Sequence, residues 1–212
     1  MKRIVILISG RGSNMQALLE AKLDAQIAAV ISNNPSAGGL QFARSAGVET
    51  KLVNHRDYAD RASFDKALGD VIAAYRPDLI VLAGFMRILT EQFIERFNGR
   101  ILNIHPSLLP AFSGLDTHRR ALGEGVKLHG CTVHFVTSTL DHGPIVIQAA
   151  VPILPDDDQE RLAARVLQQE HVVYPQAIRW FLDGRLTIEG NHVILSAELR
   201  HPDDAMISPI SL

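Results

Sequence analysis

Cysteine is almost absent: the 212 residues contain one, Cys131. That excludes an intrachain disulfide and a four-cysteine zinc site, and it suits a reducing compartment. Aromatic residues are sparse at 6%, with a single Trp. A dominant charge is also lacking, since 21 Lys and Arg against 23 Asp and Glu leave a net charge of −2. Without basic excess, non-specific nucleic-acid binding loses its main electrostatic support, and no nucleic-acid partner is expected. No apolar run approaches the roughly 18 residues of a membrane helix, so no membrane partner is expected. The run Ile4-Val5-Ile6-Leu7-Ile8 follows Met1-Lys2-Arg3 but is too short for a secretory signal. It also ends in Ser-Gly-Arg-Gly, not in a cleavage site. A cytoplasmic location is the expectation. There is no repeat, low-complexity tract or heptad array. What is present, 47% hydrophobic and 21% charged residues, is the composition of an ordinary folded domain.

Short apolar runs alternate with helical patterns over the first half. Strands are expected at 3–8, 26–31, 49–53, 79–83 and 100–104, and helices at 14–23, 40–46 and 63–75. Thr90 reads as an N-cap with Glu91 in the first turn of a helix reaching Phe97. Continuous apolar strands between helices predict a Rossmann-like, mostly parallel sheet covered by helices on both faces, with ligands beyond the strands' carboxyl ends. The second half changes character. Consecutive strands at 129–136 and 144–151 predict an antiparallel or mixed extension. A long helix is expected over 159–182, bent or interrupted at Pro175. A terminal hairpin is expected at 186–188 and 192–195, and a loose tail after Arg200. No Pro/Gly/Ser linker appears, so one α/β domain is expected over 1–212. It divides into a phosphate-binding half at 1–100, a catalytic half at 101–200 and a tail at 201–212.

Three motifs carry chemistry. Ser9-Gly10-Arg11-Gly12-Ser13-Asn14 follows the first strand and opens the first helix, where backbone N–H groups favour an anion. The dinucleotide fingerprint fails at Met15 and at Ser32-Asn33-Asn34, and no Gly-Lys-Ser/Thr completes a P-loop. A phosphomonoester site remains, or else a plain tight turn with a Ser or Asn cap. Asn103 and His105 lie two apart at the end of the fifth strand, hence on one face if extended. They would place an amide donor beside an imidazole for a developing oxyanion, or would only bond loop backbone. Asp141, between two predicted strands, is either a turn aspartate or a carboxylate favouring the His105 imidazolium. Nine histidines raise a metal site, but no His-Glu-x-x-His occurs, and His129 and His134 are expected on opposite strand faces. No metal is expected. No Gly-x-Ser-x-Gly elbow supports a serine hydrolase. Asp156-Asp157-Asp158 reads as a solvated helix start, not an ion site.

Read in order, these segments are joined by Ala83-Gly84-Phe85-Met86-Arg87-Ile88-Leu89, Asn103-Ile104-His105-Pro106-Ser107-Leu108-Leu109-Pro110 and Leu140-Asp141-His142-Gly143-Pro144. Together they resemble the phosphoribosylglycinamide formyltransferase family of the formyltetrahydrofolate-dependent formyltransferases. The Asn-x-His…Asp set marks the superfamily. The Gly-Ser-Asn loop and Gln169-Glu170-His171…Tyr174-Pro175 mark the glycinamide branch. The resemblance implies that Asn103, His105 and Asp141 are catalytic. It implies that Gly12, Ser13 and Asn14 hold the substrate phosphate, and that Glu170 contacts the glycinamide. It assigns folate contacts to Arg61, Met86, Arg87, Ile88, Leu89, Asn103, Thr137, Ser138, Thr139, Leu140 and Asp141. The implied cosubstrate is 10-formyltetrahydrofolate, the acceptor is 5-phosphoribosylglycinamide, and the assembly is a monomer or homodimer. Leu167 and the bulky His142 depart from the pattern.

Two other readings compete. A 10-formyltetrahydrofolate hydrolase would use the same Asn, His and Asp with water as acceptor, but leaves the phosphate loop without a purpose. A non-catalytic phosphosugar-binding module leaves the Asn/His/Asp set without one. A formyltransferase acting on transfer RNA would be expected to carry a further C-terminal domain, for which the residues after the terminal hairpin are too few.

Overall fold

The computed structural model describes residues 1–196 and the short strand Ile207–Ser208. The chain divides into two compact units, Met1–Asn103 and Ile104–Leu212.

In the first unit, β1 (Arg3–Ile8), β2 (Gln26–Ser32), β3 (Thr50–Leu52), β4 (Leu79–Leu82) and β5 (Ile101–His105) are all parallel, in the order β3-β2-β1-β4-β5. The helices α1 (Ser13–Glu20), α2 (Gly39–Ser45), α3 (Arg61–Ala74) and α4 (Glu91–Arg96) connect them. Ile4 to Ile8 are each no more than 1% exposed. An unbroken apolar run is what a central parallel strand with both faces covered requires. The strand order reverses direction between β1 and β4, so the segments leaving their carboxyl ends flank the crevice where such sheets bind ligands. Helix α3 starts two residues before its expected start, because Asp60 and Ser63 form a reciprocal cap, with the Ser63 amide donating to Asp60 at 2.7 Å. Thr90 caps α4 as expected, accepting from the Phe93 amide.

In the second unit, β6 (Leu128–Phe135) and β7 (Ile145–Pro152) pair antiparallel. The hairpin of β8 (Leu186–Glu189) and β9 (His192–Leu195) joins β7 through Ile145 and His192. Helix α6 (Gln159–Leu182) packs on β6 and β7, and α5 (Thr117–Glu124), not expected from the sequence, packs on α6. The α/β class, with parallel strands followed by antiparallel ones, a long C-terminal helix and a terminal hairpin, is therefore as expected. Helix α6 is not interrupted at Pro175 and runs unbroken through it. An interior proline costs about 3 kcal/mol. Val173, Tyr174, Ala177 and Ile178 around it are fully buried, each stabilising on the same order or somewhat less. Asp156-Asp157-Asp158 is more than a solvated start. Asp158 caps α6 through the Arg161 amide at 2.8 Å, and the enclosed Asp157 carboxylate pairs with Arg165 at 2.6 and 2.9 Å. Of the expected tail, Ile207–Ser208 pairs antiparallel with β7 as strand β10. The rest of it lies outside the described residues. Among the described residues, no helix is long and apolar enough to cross a membrane.

Candidate active site

In the first unit, the Gly-rich segment leaves β1 beside the end of β4, and the Ser9 amide donates to the Gly84 carbonyl at 3.1 Å. Gly12 sits at the N-cap of α1 with φ 77°. A Cβ there would come within 2.9 Å of the Met15 side chain and 3.2 Å of the Gly39 backbone. Only glycine takes this conformation in this space at little cost. No side chain caps the helix. The expected Ser or Asn cap is absent at Gly12, so the N-cap position supplies no side-chain acceptor to the backbone donors of the helix start. Ser13 is half-buried, and Asn14 is buried at the base of the loop.

The segment after β4 is exposed at Met86 and Ile88 and buried at Leu89. The Arg87 guanidinium lies over the Phe64 ring, 5.2 Å from its centroid. Both ends of the segment are bonded to side chains. The Met86 amide donates to the Ser9 hydroxyl at 2.8 Å, and the Thr90 amide donates to Asp65 at 2.6 Å. Burial pushes the Asp65 carboxyl above its ordinary range, against the opposing pull of that amide. Arg61 opens α3 on the surface. Asn103 is half-buried on β5, opposite Leu82 of β4. It alternates with His105 along the same strand, which puts the two on one face.

In the second unit, His105 is 6% exposed. Its Nδ1 stands 3.5 Å from Asp141 Oδ2, and its Nε2 stands 3.1 Å from the Phe112 carbonyl oxygen. Asp141 adopts φ 51°, and its Oδ2 also accepts the Gly114 amide at 2.8 Å. The loop bearing Thr137, Ser138, Thr139, Leu140 and Asp141 projects from a base closed by the Phe135 amide donating to the Pro144 carbonyl at 2.9 Å. Gly143 permits this closure, since a Cβ there would lie 1.8 Å from the Phe135 oxygen. A cleft of about 370 Å³ behind the loop is lined by Leu109, Pro110, Asp141, His142 and His192 among others.

Among the other histidines in the same unit are His118, His129 and His134, of which His129 and His134 are buried. His129 and His118 are joined at 3.2 Å. Burial, then the neighbouring His118, pushes His129 down to about 4, and burial lowers His118 and His134 as well. All three are held neutral near neutral pH. Among the described residues, no group of three or more His, Cys, Asp or Glu is arranged to hold a metal ion. Glu170 is buried on α6, and burial, then the Glu170 charge, raises the Cys131 thiol.

Sequence reasoning placed Ser9 within the loop motif without a role of its own, and missed Asp65 and the Phe112 and Gly114 backbone groups. The last two act through main-chain atoms, which leave no residue-type signature. Ser9 and Asp65 look like an ordinary strand end and an ordinary helix surface until partners 77 and 25 residues away are known.

The formyl transferase family model matches residues 2–178. The phosphoribosylglycinamide formyltransferase of Escherichia coli (strain K12) is 47% identical over 94% of this chain and 96% of its own length. The trifunctional purine biosynthetic protein adenosine-3 of Drosophila melanogaster is 47% identical over 88% of this chain and 14% of its own. The crystal structure of glycinamide ribonucleotide transformylase 1 from Symbiobacterium toebii superimposes with a TM-score of 0.90 at 50% identity, covering 92% of this chain and 94% of that one. The chain belongs to the formyl transferase family and, within it, to the phosphoribosylglycinamide formyltransferases, enzymes of formyl transfer in purine biosynthesis.

Proposed function

We propose that this chain moves the formyl group of 10-formyltetrahydrofolate to the primary amine of 5-phosphoribosylglycinamide. The products are formylglycinamide ribonucleotide and tetrahydrofolate. The observation that carries the reading is the buried His105–Asp141 pair, with Asn103 two residues before His105 on the same strand. Residues 1–100 serve as the phosphate-binding half and 101–200 as the catalytic half, in a soluble cytoplasmic enzyme.

The phosphate binds at Gly12, Ser13 and Asn14, where the uncapped start of α1 favours an anion. The folate takes contacts from Arg61, from Met86, Arg87, Ile88 and Leu89, and from Thr137, Ser138, Thr139, Leu140 and Asp141. Glu170 meets the glycinamide. The amine nitrogen attacks the formyl carbon, and negative charge grows on the formyl oxygen. The Asn103 amide and the His105 N–H donate to that oxygen. In the structure His105 Nε2 faces the Phe112 carbonyl, so the formyl oxygen competes with that carbonyl for the same donor. Asp141 faces the other ring nitrogen and balances the imidazolium charge. The proton lost by the amine passes to the departing folate nitrogen as the old C–N bond breaks. No covalent enzyme intermediate forms, and much of the rate comes from holding two substrates in reacting geometry.

The test is formyl transfer followed optically with and without the acceptor. Acceptor-dependent turnover that collapses in His105→Ala supports the reading. Equal folate turnover without acceptor indicates a hydrolase. Binding of phosphate ligands with no turnover indicates a binding module.

A further inference from the structure

The hydroxyl of Ser9 makes two bonds in different directions. It donates to Asn33 Oδ1 at 2.6 Å and accepts from the Met86 amide at 2.8 Å. The Ser9 backbone makes two more, its amide donating to the Gly84 carbonyl at 3.1 Å and its carbonyl accepting from Asn34 Nδ2 at 3.1 Å. The residue stands directly ahead of Gly10-Arg11-Gly12, the proposed phosphate loop. It is bonded to both ends of Gly84-Phe85-Met86, the entry to the proposed folate segment. Asn33 is itself fixed, being 4% exposed, with its backbone carbonyl oxygen 2.8 Å and its side-chain nitrogen 3.1 Å from His55 Nδ1, which bonds one or the other according to the ring's tautomer.

Between its two attachments the folate segment is exposed at Met86 and Ile88, 70% and 53%, while the Arg87 guanidinium lies over Phe64 and Leu89 is buried. The hydrogen bonds at its ends share with these contacts in setting its position. Asp65, at the far end, belongs to α3 and accepts from the Thr90 amide. Ser9, at the near end, also belongs to the phosphate loop. A shift or ordering of one loop is transmitted through this hydroxyl to the other, and a ligand that orders the first lowers the ordering cost for the second.

We propose that Ser9 is a positioning residue that couples the two substrates, so that the phosphorylated acceptor, once bound, tightens folate binding and the reverse. The inference rests on the substrate reading given above. It goes beyond it by assigning a thermodynamic coupling to one hydroxyl that touches neither reacting group.

Tetrahydrofolate carries no formyl group, so it forms a ternary complex with 5-phosphoribosylglycinamide without turnover. Its dissociation constant is measured by titration calorimetry on the full chain, with and without saturating acceptor. The wild type is expected to bind tetrahydrofolate about tenfold more tightly with acceptor present, within the usual range of site–site coupling. Ser9→Ala is expected to bring this ratio to about threefold or less, and Ser9→Thr, which retains the hydroxyl, to keep it. Asp65→Asn is expected to weaken tetrahydrofolate binding equally in both conditions, leaving the ratio intact. A wild-type ratio in Ser9→Ala overturns the inference, as does an equal collapse in Asp65→Asn, which would mark a merely structural effect. A wild type that binds both ligands without synergy overturns the inference alone. A wild type that binds neither overturns the substrate reading with it.

Discussion

Asp141 Oδ2 faces His105 Nδ1 at 3.5 Å and accepts the Gly114 amide at 2.8 Å, so a single carboxylate oxygen both balances the imidazole and ties down the loop ahead of α5. The two tasks separate under substitution. Asn keeps an oxygen for the Gly114 amide but removes the charge. Asp141→Asn should therefore lower kcat by about 100-fold or more, the scale of acid–base assistance. The melting temperature should move by only a few degrees. His105→Ala should lose a comparable factor. Parallel steady-state kinetics and thermal melts check both, and loss of activity in proportion to loss of fold would count against a catalytic role.

Gly12→Ala tests the proposed phosphate loop. The new methyl enters a left-handed conformation and meets the Met15 side chain at 2.9 Å and the Gly39 backbone at 3.2 Å. The flexible methionine can yield, whereas the backbone of α2 cannot without moving the loop. The expected outcome is destabilisation of about 1–3 kcal/mol and a raised KM for the phosphorylated acceptor. The KM for the formyl donor should rise less. Denaturant melts and substrate titrations report the two effects separately.

Much of the architecture is legible in the sequence, because burial on both faces demands the same apolar run wherever a parallel strand occurs. The strand Arg3–Ile8 and the helix Gln159–Leu182 agree with expectation to the residue. Helix α5 was not legible, since only Thr117 and Ala121 of its eight residues face inward and no apolar stripe forms. The site divides along the same line. His105 and Asp141 are rare chemistry in a recognisable order, and the structure brings them together. The pins of the proposed folate segment are a serine and an aspartate whose partners are backbone amides far along the chain. Local spacing carries no trace of such bonds, because they depend on which strands are neighbours.

His129 predicts a pH dependence of stability. Its folded-state value is pushed down to about 4 from an ordinary 6.5, chiefly by burial. The unfolded chain therefore binds more protons between those values. The stabilisation from keeping the ring neutral is complete above about pH 6.5 and is lost as pH falls towards 4. The slope is at most about 1.4 kcal/mol per pH unit for one proton. His118 and His134, lowered in the same direction, add to it. His129→Gln should flatten the stability profile across this window. Urea melts at pH 7, 6, 5 and 4 measure it, and an unchanged slope would show that His129 does not carry the effect.

Asp157 predicts an effect of the same sign at lower pH. The paired Arg165 guanidinium and the Leu154 amide hold its carboxyl down at about 2, against an ordinary 3.8. A carboxyl depressed on folding contributes stability above its unfolded value and loses it as pH falls through the folded one. The contribution should thus be complete above about pH 4 and gone by about pH 2. What fails there is the attachment of the β7–α6 connection, because Arg165 also donates to the Pro152 carbonyl at 2.9 Å. Asp157→Asn removes the charge while leaving an oxygen for the Leu154 amide. The variant should be less stable than the wild type at pH 6 and indistinguishable from it near pH 2. Acid titrations of both proteins followed by circular dichroism make the comparison. Parallel curves over the whole range would mean that the Asp157–Arg165 pair is present in the structure but contributes nothing measurable to folding.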